Sequence, residues 1–559
     1  MLTRVTSVFD RTVLVLAAPG FIELNEAALS CGAIVFLGLA GQEAGGALAD
    51  VLTAKVMPAG HLSFSWPEHA EAFSDASAAA DQFTGYRYFD SFGVPVRYPF
   101  GHGLSYGTVA FGSVSAGLDG CDVTVSAELV NTGEEFAASE LVQVYVTRPE
   151  GDLTRPVSFL DCFQKSRLLA PGESQTVTLR FPITELSVYR EHAHAFVLDA
   201  GYYDIRIGTS SRACYLAGSI RLTRSAVVQA AEPLTLSAAQ ERTRPENVCF
   251  QFPEDLAEIE QAHKHAIRFS DRNLPRRSRR KGREFTGCRP DGAHHTLADV
   301  REGRCSVFHL VADMDTENLE RLVCGFGREA ASVPGALGAS AAIERYGIPA
   351  VQIAGGAQGL RLLRDIPDEE TGEIVRRQCA TVFPAPAQLA CSFDQEVVRA
   401  VGRAVGLEMA ELGVQLWLGP DAGVMRTPQE ARFAEKWSEE PVVCGAMTAA
   451  LAAGAWPYGT AALHAQSLPE TVSVSQSALR DVYGLPFEIA ANSCRAAKLP
   501  DCAISGQRLT ENSPLLRAWL LDCGYGGMLW GDETLRSDRI GLEKAAIRIL
   551  KWMLQAKKL

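Results

Sequence analysis

The sequence predicts a multidomain protein that joins α/β folds to an all-β fold. Three observations predict this fold class. Short apolar strands and a glycine-rich turn open the chain, period-two strands follow in residues 108–223, and apolar strands alternate with helical stretches in residues 298–559. A chain of 559 residues has room for about three or four domains of ordinary size.

Residues 1–107 are predicted to form a partial α/β lobe. The apolar runs Thr12–Ala17 and Ala33–Leu37 are typical of strands, and Gly41–Leu52 is typical of a glycine-rich turn that opens a helix. Both strands carry apolar side chains on both faces, as buried parallel strands do. Two strands and one helix are too few to cover those faces. We therefore expect an exposed apolar surface that leads to self-association, as in a homo-oligomer, or to poor solubility.

Residues 108–223 are predicted to form a β-sandwich, because alternating strands recur there between Gly-containing turns. Residues 224–297 are predicted to be a linker. Its arginine-rich stretch Pro275–Arg283 is either a solvated surface or a contact for an anionic partner. The predicted strands of the sandwich are Cys121–Val130, Leu141–Val146, Thr176–Phe181 and Tyr203–Ile207.

Residues 298–559 are predicted to form a (β/α)8-type barrel. Apolar strands alternate with helical stretches, which predicts a parallel sheet, and the length of the segment fits one barrel. The clearest strand is Pro349–Ala354. The predicted helices are Thr316–Gly325, Gln395–Leu412, Glu440–Ala453, Ser477–Asn492 and Gly541–Gln555.

Composition and charge narrow the class of partner. The chain is 47% apolar and 21% charged, which is ordinary for a globular protein, and its net charge of −13 argues against nucleic acid. No signal-peptide pattern and no membrane-spanning run are found, so we expect a cytoplasmic protein without a membrane partner and with reduced cysteines. His294 and His295 stand as a lone pair, and no metal site is expected.

Three motifs in the last segment give the chain a family resemblance. Residues Tyr346–Arg361 are similar to the pattern G-I-P-x-x-x-x-x-D-G-P-x-G-L-R. Residues Arg426–Pro441 are similar to R-D-P-x-x-G-R-N-F-E-x-F-S-E-D-P, and Gly524–Glu533 to G-F-D-G-x-V-x-S-D-W. On these motifs the chain resembles glycoside hydrolase family 3, the β-glucosidase-like enzymes.

The resemblance implies an architecture and an activity. It assigns residues 1–107 to a shortened form of the family's C-terminal α/β-sandwich domain, residues 108–223 to its fibronectin-III-like β-sandwich, and residues 298–559 to its N-terminal TIM-like barrel. The domain order is therefore permuted. The implied activity is retaining hydrolysis of β-glucosides or similar small glycosides in carbohydrate metabolism, with a small carbohydrate as ligand and with no metal or organic cofactor.

The resemblance also implies site residues. Asp532 stands in the place of the catalytic nucleophile, with a helix N-cap as the alternative role. Arg432, His464 and Glu435 stand where the family binds its substrate. A plain ion pair between Arg432 and Glu435, and a structural role for His464, remain alternatives. We expect Asp532, His464 and Arg432 to converge, because barrels collect their sites at the C-terminal ends of strands.

Several departures from the family pattern put activity in doubt. Gly355 replaces the carboxylate that grips sugar hydroxyls, and Leu463 replaces a lysine donor. The part of the lobe that would hold the acid/base is not found upstream of Gly41. Two alternatives follow: a glycosidase with impaired activity, and an inactive homologue that binds sugar or acts as a scaffold. The lobe glutamates outside the expected context are Glu23, Glu26 and Glu43.

Overall fold

The computed structural model describes most of residues 2–556. The residues left out are 152–153, 235–241, 246–248, 253, 255, 276–284, 369, 431, 465–472, 499–502, 505–506, 509–524 and 531–537. The arginine-rich stretch Pro275–Arg283 therefore lies outside the described residues, apart from Pro275. No helix in the described part of the chain is long and apolar enough to cross a bilayer.

The lobe contains the two predicted strands and the predicted helix. Val13–Leu16 and Ala33–Phe36 pair in parallel, and the helix after the glycine-rich turn is Ala44–Leu52. Its aromatic core includes Phe64, which meets Phe433 of the barrel edge to face at 5.3 Å between ring centroids. The lobe thus closes its core against the barrel. Its other elements are Leu2–Thr6, Glu26–Leu29, Trp66–Pro67, Glu71–Ser77, Tyr86–Ser91 and Val96–Tyr98.

The predicted β-sandwich is confirmed, and burial alternates along Asp122–Asn131 as its period-two pattern predicts. Two strands from residues 224–297, Ala226–Ala230 and Ile267–Phe269, pair with strands of this region. The remaining strands are Val109–Asp119, Leu141–Thr147, Phe159–Lys165, Ser174–Pro182, Val188–Arg190, Ala195–Leu198, Gly201–Ser210 and Ala213–Leu222. The short helices are Ile183–Leu186, Leu256–Lys264 and Asp271–Asn273.

The described part of the last segment forms a half-barrel around one seven-stranded sheet. Five neighbouring strands run parallel, and two short strands add to one edge in antiparallel fashion, which the parallel prediction did not include. In spatial order the strands are Phe326–Gly327, Gly338–Ser340, Gln352–Gly355, Leu416–Asp421, Thr460–His464, Ala496–Lys498 and Met528–Trp530. Two-stranded ribbons lie outside it at Asp365–Pro367 with Ile374–Arg377 and at Ala503–Ile504 with Gln507–Arg508.

Helices cover the outer face of this sheet. The predicted helix Gln395–Leu412 is confirmed at both ends, because Asp394 caps its first turn and Gly413 ends it with a left-handed φ of 76°. The other helices of the segment are Leu297–Arg301, Val307–Asp313, Thr316–Cys324, Glu344–Tyr346, Pro386–Ala390, Phe433–Glu435, Pro441–Ala455 and Arg539–Gln555.

The predicted continuous helix Ser477–Asn492 is wrong. The structure breaks it into Gln476–Ala478, a π-helical turn at Leu479–Tyr483, and Leu485–Ala490. Pro486 has no backbone N–H to continue the hydrogen-bond ladder, and the N–H of Gly484 instead donates to the Leu479 carbonyl at 2.6 Å.

Candidate functional site

The C-terminal ends of the parallel strands meet along one edge of the half-barrel. Gly355 aligns with Leu418 in the neighbouring strand, and Asp421 with His464. Lys498 aligns with His464 on one side and with Trp530 on the other. The structure therefore places the backbone of His464 at the predicted edge, although its side chain lies outside the described atoms. Asp532 follows Trp530 by two positions and lies outside the described residues, so its convergence stays a prediction.

A cleft of about 1250 Å³ opens at this edge. The barrel contributes Gly355, Asp421 and Lys498 to its walls, together with the loop that carries Arg432 and Glu435. The lobe covers one side of the cleft through Pro19, Gly20, Phe21, Leu39 and Gln42. Placement at the strand ends and between two domains is typical of an enzyme or ligand site.

Arg432 and Glu435 lie together on one wall of the cleft. An Nη1 atom of Arg432 lies 3.6 Å from Oε2 of Glu435, and both side chains are about half exposed. The ion pair between Arg432 and Glu435, which the sequence left as an alternative to substrate binding, is therefore present in this structure. It is compatible with ligand binding, because the pair borders open space and an exposed pair of this kind adds little to stability.

Sequence reasoning missed two buried charged groups beneath this wall. Asp421 ends its strand with 4% of its surface exposed and accepts a hydrogen bond from the Gly423 N–H at 2.8 Å. Lys436, equally buried, pairs with Glu430 and donates to the Val424 carbonyl. A signal for Asp421 was present, because an acidic residue at the C-terminal end of a barrel strand is a site candidate.

A carboxylate at position 355 would require the exposed side chain of Leu337 to move aside. A Cβ atom built on Gly355 would lie 2.7 Å from Cδ1 of Leu337, so the leucine fills the space that an aspartate would occupy. Leu463, at the position of the family's lysine, is 3% exposed and belongs to the barrel core. Both replacements remove polar contacts that the resemblance implies.

None of the three lobe glutamates lines the cleft in the described part of the chain. Glu23 is an exposed carboxylate that accepts a bond from the Ala70 N–H at 2.9 Å, and this bond lowers its pKa. Glu26 opens the helix Glu26–Leu29, and Glu43 precedes the helix Ala44–Leu52. The structural roles of these residues fit the sequence expectation that they stand outside the acid/base context.

Hydrogen bonds at the surface and in the interior fix the lobe against the barrel beside the cleft. The N–H of Gln42 donates to the Val382 carbonyl at 2.9 Å. Further in, Oε1 of Glu439 accepts bonds from the Ser65 hydroxyl and the Tyr86 N–H, at 2.7 and 2.8 Å. Burial raises the pKa of Glu439 to about 7 against these hydrogen bonds, which lower it.

His295 has neighbours that the sequence did not predict. Its Nε2 lies 2.9 Å from Oδ2 of Asp291, and His309 Nδ1 lies 3.9 Å from the same oxygen. These donor atoms lie within 4.8 Å of one another, as do those of Glu23, His69 and Glu71. Both groups lie largely on the surface, and none of their six residues lines the described cleft, so neither is assigned a part in the site.

Comparison with protein-family models gives three matched regions. The model of the "Glycosyl hydrolase family 3 C-terminal domain" matches residues 1–106, a "Fibronectin type III-like domain" matches residues 140–211, and the "Glycosyl hydrolase family 3 N terminal domain" matches residues 350–534. The C-terminal model thus precedes the N-terminal one, which is the permuted order that the sequence motifs predicted.

Known proteins share this arrangement. The chain is 27% identical to beta-glucosidase A of Butyrivibrio fibrisolvens over 88% of its length, and 28% identical to a beta-glucosidase of Ruminococcus albus over 89%. Alignments of that extent include both family regions, so these relatives have the same domain order. The chain spans only 64% and 53% of their respective lengths.

The fold of the whole chain also matches a solved structure. A beta-glucosidase from Paenibacillus barengoltzii aligns with a TM-score of 0.82 and 24% sequence identity, covering 100% of this chain and 69% of the other. At this level of identity the match supports the multidomain α/β and all-β fold.

Proposed function

The chain belongs to glycoside hydrolase family 3, and from this premise we propose that it hydrolyses β-glucosides or similar small glycosides with impaired turnover. One observation carries the proposal: the cleft lies at the C-terminal ends of the barrel strands, beside the strand that leads to Asp532. A small carbohydrate is the proposed ligand. Arg432 and Glu435, together with His464 from a neighbouring strand end, are the residues proposed to hold it.

The proposed chemistry retains the configuration of the sugar. The carboxylate of Asp532 attacks the anomeric carbon while a second carboxyl group protonates the leaving oxygen, and water then releases the sugar. General acid catalysis typically contributes ~10²–10⁴-fold to the rate. Because no lobe carboxylate lines the described cleft, we expect slow hydrolysis that favours activated aryl glycosides, whose leaving groups need little protonation.

The proposal is tested with a panel of aryl β-glycosides and the variant Asp532→Asn. We expect slow release from the aryl β-glucoside, a loss of at least about a hundredfold in Asp532→Asn, and little release from cellobiose. Asp365→Asn, on the exposed ribbon outside the barrel sheet, is the matched control and should keep the parent rate. Robust turnover of cellobiose would contradict the proposal that the acid step is impaired. A rate for Asp532→Asn equal to that of the parent protein would contradict the proposal that Asp532 is the nucleophile.

A second candidate function is sugar binding or a scaffold role without turnover. The absence of a carboxylate at position 355, where Leu337 lies instead, favours it, because one acceptor for sugar hydroxyl groups is missing from the cleft. Glucose binding by titration calorimetry, with no release from any glycoside, would support sugar binding over hydrolysis. A chain that neither binds sugar nor releases product would leave the scaffold role.

A further inference from the structure

One wall of the cleft carries three arginines from two neighbouring segments. Arg328 follows the edge strand Phe326–Gly327, whose end points to the same side of the sheet as the end of Gln352–Gly355. Arg361 lies opposite Gly355, and its N–H donates to the Gly355 carbonyl at 2.7 Å. Arg364 lines the same wall three residues further on.

These three guanidinium groups have no acidic partner among the residues that the structure describes. None of them forms an ion pair or a side-chain hydrogen bond there, and all three side chains are exposed toward the cleft or its rim. The acidic groups that line the rest of the described cleft are engaged, Glu435 with Arg432, Glu430 with Lys436, and Asp421 with the Gly423 N–H. The chain as a whole has a net charge of −13, so this unpaired cationic wall is a local region of opposite charge.

The same wall has lost its acceptor for sugar hydroxyl groups. Position 355 has no side chain, and Leu337 occupies the space beside it. A guanidinium group offers five N–H donors and no acceptor, and its fork geometry matches the oxygens of a carboxylate or phosphate. The polar side chains on this side of the cleft therefore suit an anion better than a neutral ring of hydroxyl groups.

We propose that the cleft selects a glycoside whose sugar carries an anionic group, held by Arg328, Arg361 and Arg364. This inference rests on the proposed function in that it takes the cleft as the sugar site. The shared chemistry is a carboxylate or phosphate oxygen accepting charge-assisted hydrogen bonds from the arginine wall. The anionic group can belong to a uronic acid, which carries a carboxylate, or to a sugar phosphate. The experiment distinguishes these two ligands.

The test is titration calorimetry on the full chain with glucuronate, glucose 6-phosphate, glucose and inorganic phosphate, each at low and high salt. We expect at least one anionic sugar to bind about tenfold or more tightly than glucose and to lose that advantage at high salt. Preference for glucuronate alone identifies the carboxylate as the source, and preference for glucose 6-phosphate alone identifies the phosphate. Inorganic phosphate binding as tightly as the sugar phosphate would overturn the proposal.

Variants test whether the preference for an anionic sugar comes from the three arginines. The triple variant Arg328→Gln, Arg361→Gln, Arg364→Gln should bind the anionic sugar as weakly as glucose, with an unchanged unfolding midpoint, because the three side chains are exposed. Arg376→Gln removes an equally exposed arginine from the nearby ribbon, outside the cleft, and should bind as the parent does. Unchanged affinity in the triple variant would overturn the proposal.

Turnover separates this inference from the proposed function. Glucose binding and release from an aryl β-glucoside, without any preference for the anionic sugars, would refute the anionic site and leave the glycosidase intact. Anionic-sugar binding without release from any glycoside would support the site and refute the hydrolytic activity.

Discussion

The side chain of Leu337 stands where a side chain at position 355 would have to go. The two residues come from adjacent antiparallel segments, and the Leu337 N–H donates to the Ile353 carbonyl at 2.8 Å, which holds the leucine beside Gly355. The loss of the family's aspartate is therefore coupled to a second position. Restoring the carboxylate alone would press it against an apolar side chain.

Gly355→Asp alone should lower stability by about 1–3 kcal/mol, as overpacking does, and leave glucose affinity unchanged. Gly355→Asp combined with Leu337→Ala should recover the stability and bind glucose about tenfold more tightly, because a carboxylate can then accept bonds from sugar hydroxyls. Thermal unfolding and calorimetry measure both effects. Leu337→Ala alone is the control, and tight glucose binding by the single Gly355→Asp variant would show that the leucine is no obstacle.

Among the elements, the short helix Tyr86–Ser91 links all three parts of the molecule. An Nη2 atom of Arg87 lies 2.8 Å from Oε1 of Glu440 at the start of the barrel helix Pro441–Ala455, and both side chains are at most 2% exposed. The same guanidinium lies 5.0 Å from the ring centroid of Phe159 in the sandwich. The Leu160 N–H donates to the Tyr86 hydroxyl at 2.9 Å.

Arg87→Met should destabilise the protein by about 3–5 kcal/mol, because it leaves the Glu440 carboxylate buried without its partner. Adding Glu440→Gln should restore part of that loss, since the unpaired charge is removed. Arg97→Met is the matched control: its 3.5 Å contact with Glu68 is partly exposed, and its loss should cost less than about 1 kcal/mol. Chemical denaturation of the parent and the three variants measures these differences. Similar losses of stability in Arg87→Met and Arg97→Met would mean that burial of the Arg87–Glu440 pair is unimportant.

For the molecule as a whole, the sequence predicted the features that depend on neighbouring residues in the chain. The helix Gln395–Leu412 is one example, since a capping aspartate and a terminal glycine fix its ends. The order of the three fold types also followed from strand period and motifs. The pairing of the buried Lys436 with Glu430 and the contact of Leu337 with Gly355 were not predicted, because each depends on how the chain packs in three dimensions.

The exposed apolar surface of the lobe bears on how the whole molecule associates. The parallel strands predicted to lack cover are only partly buried: Val13 is 51% exposed, and no residue of Ala33–Phe36 is fully buried. Near them, Val8 and Phe9 are 69% and 61% exposed. Clustered apolar exposure of this kind marks interfaces or aggregation sites. Repulsion from the net charge of −13 opposes association only weakly, because salt screens it beyond about 10 Å.

We therefore expect concentration-dependent self-association and binding of a hydrophobic dye. Val8→Ser with Phe9→Ser should weaken both, because the substitutions remove exposed apolar area without touching the buried core. Leu168→Ser, at a 59% exposed leucine on the sandwich, is the control and should change neither. Sedimentation velocity over a wide concentration range gives the assembly state. A monomer at every concentration, with no dye bound, would mean that the exposed side chains are too dispersed to form an interface.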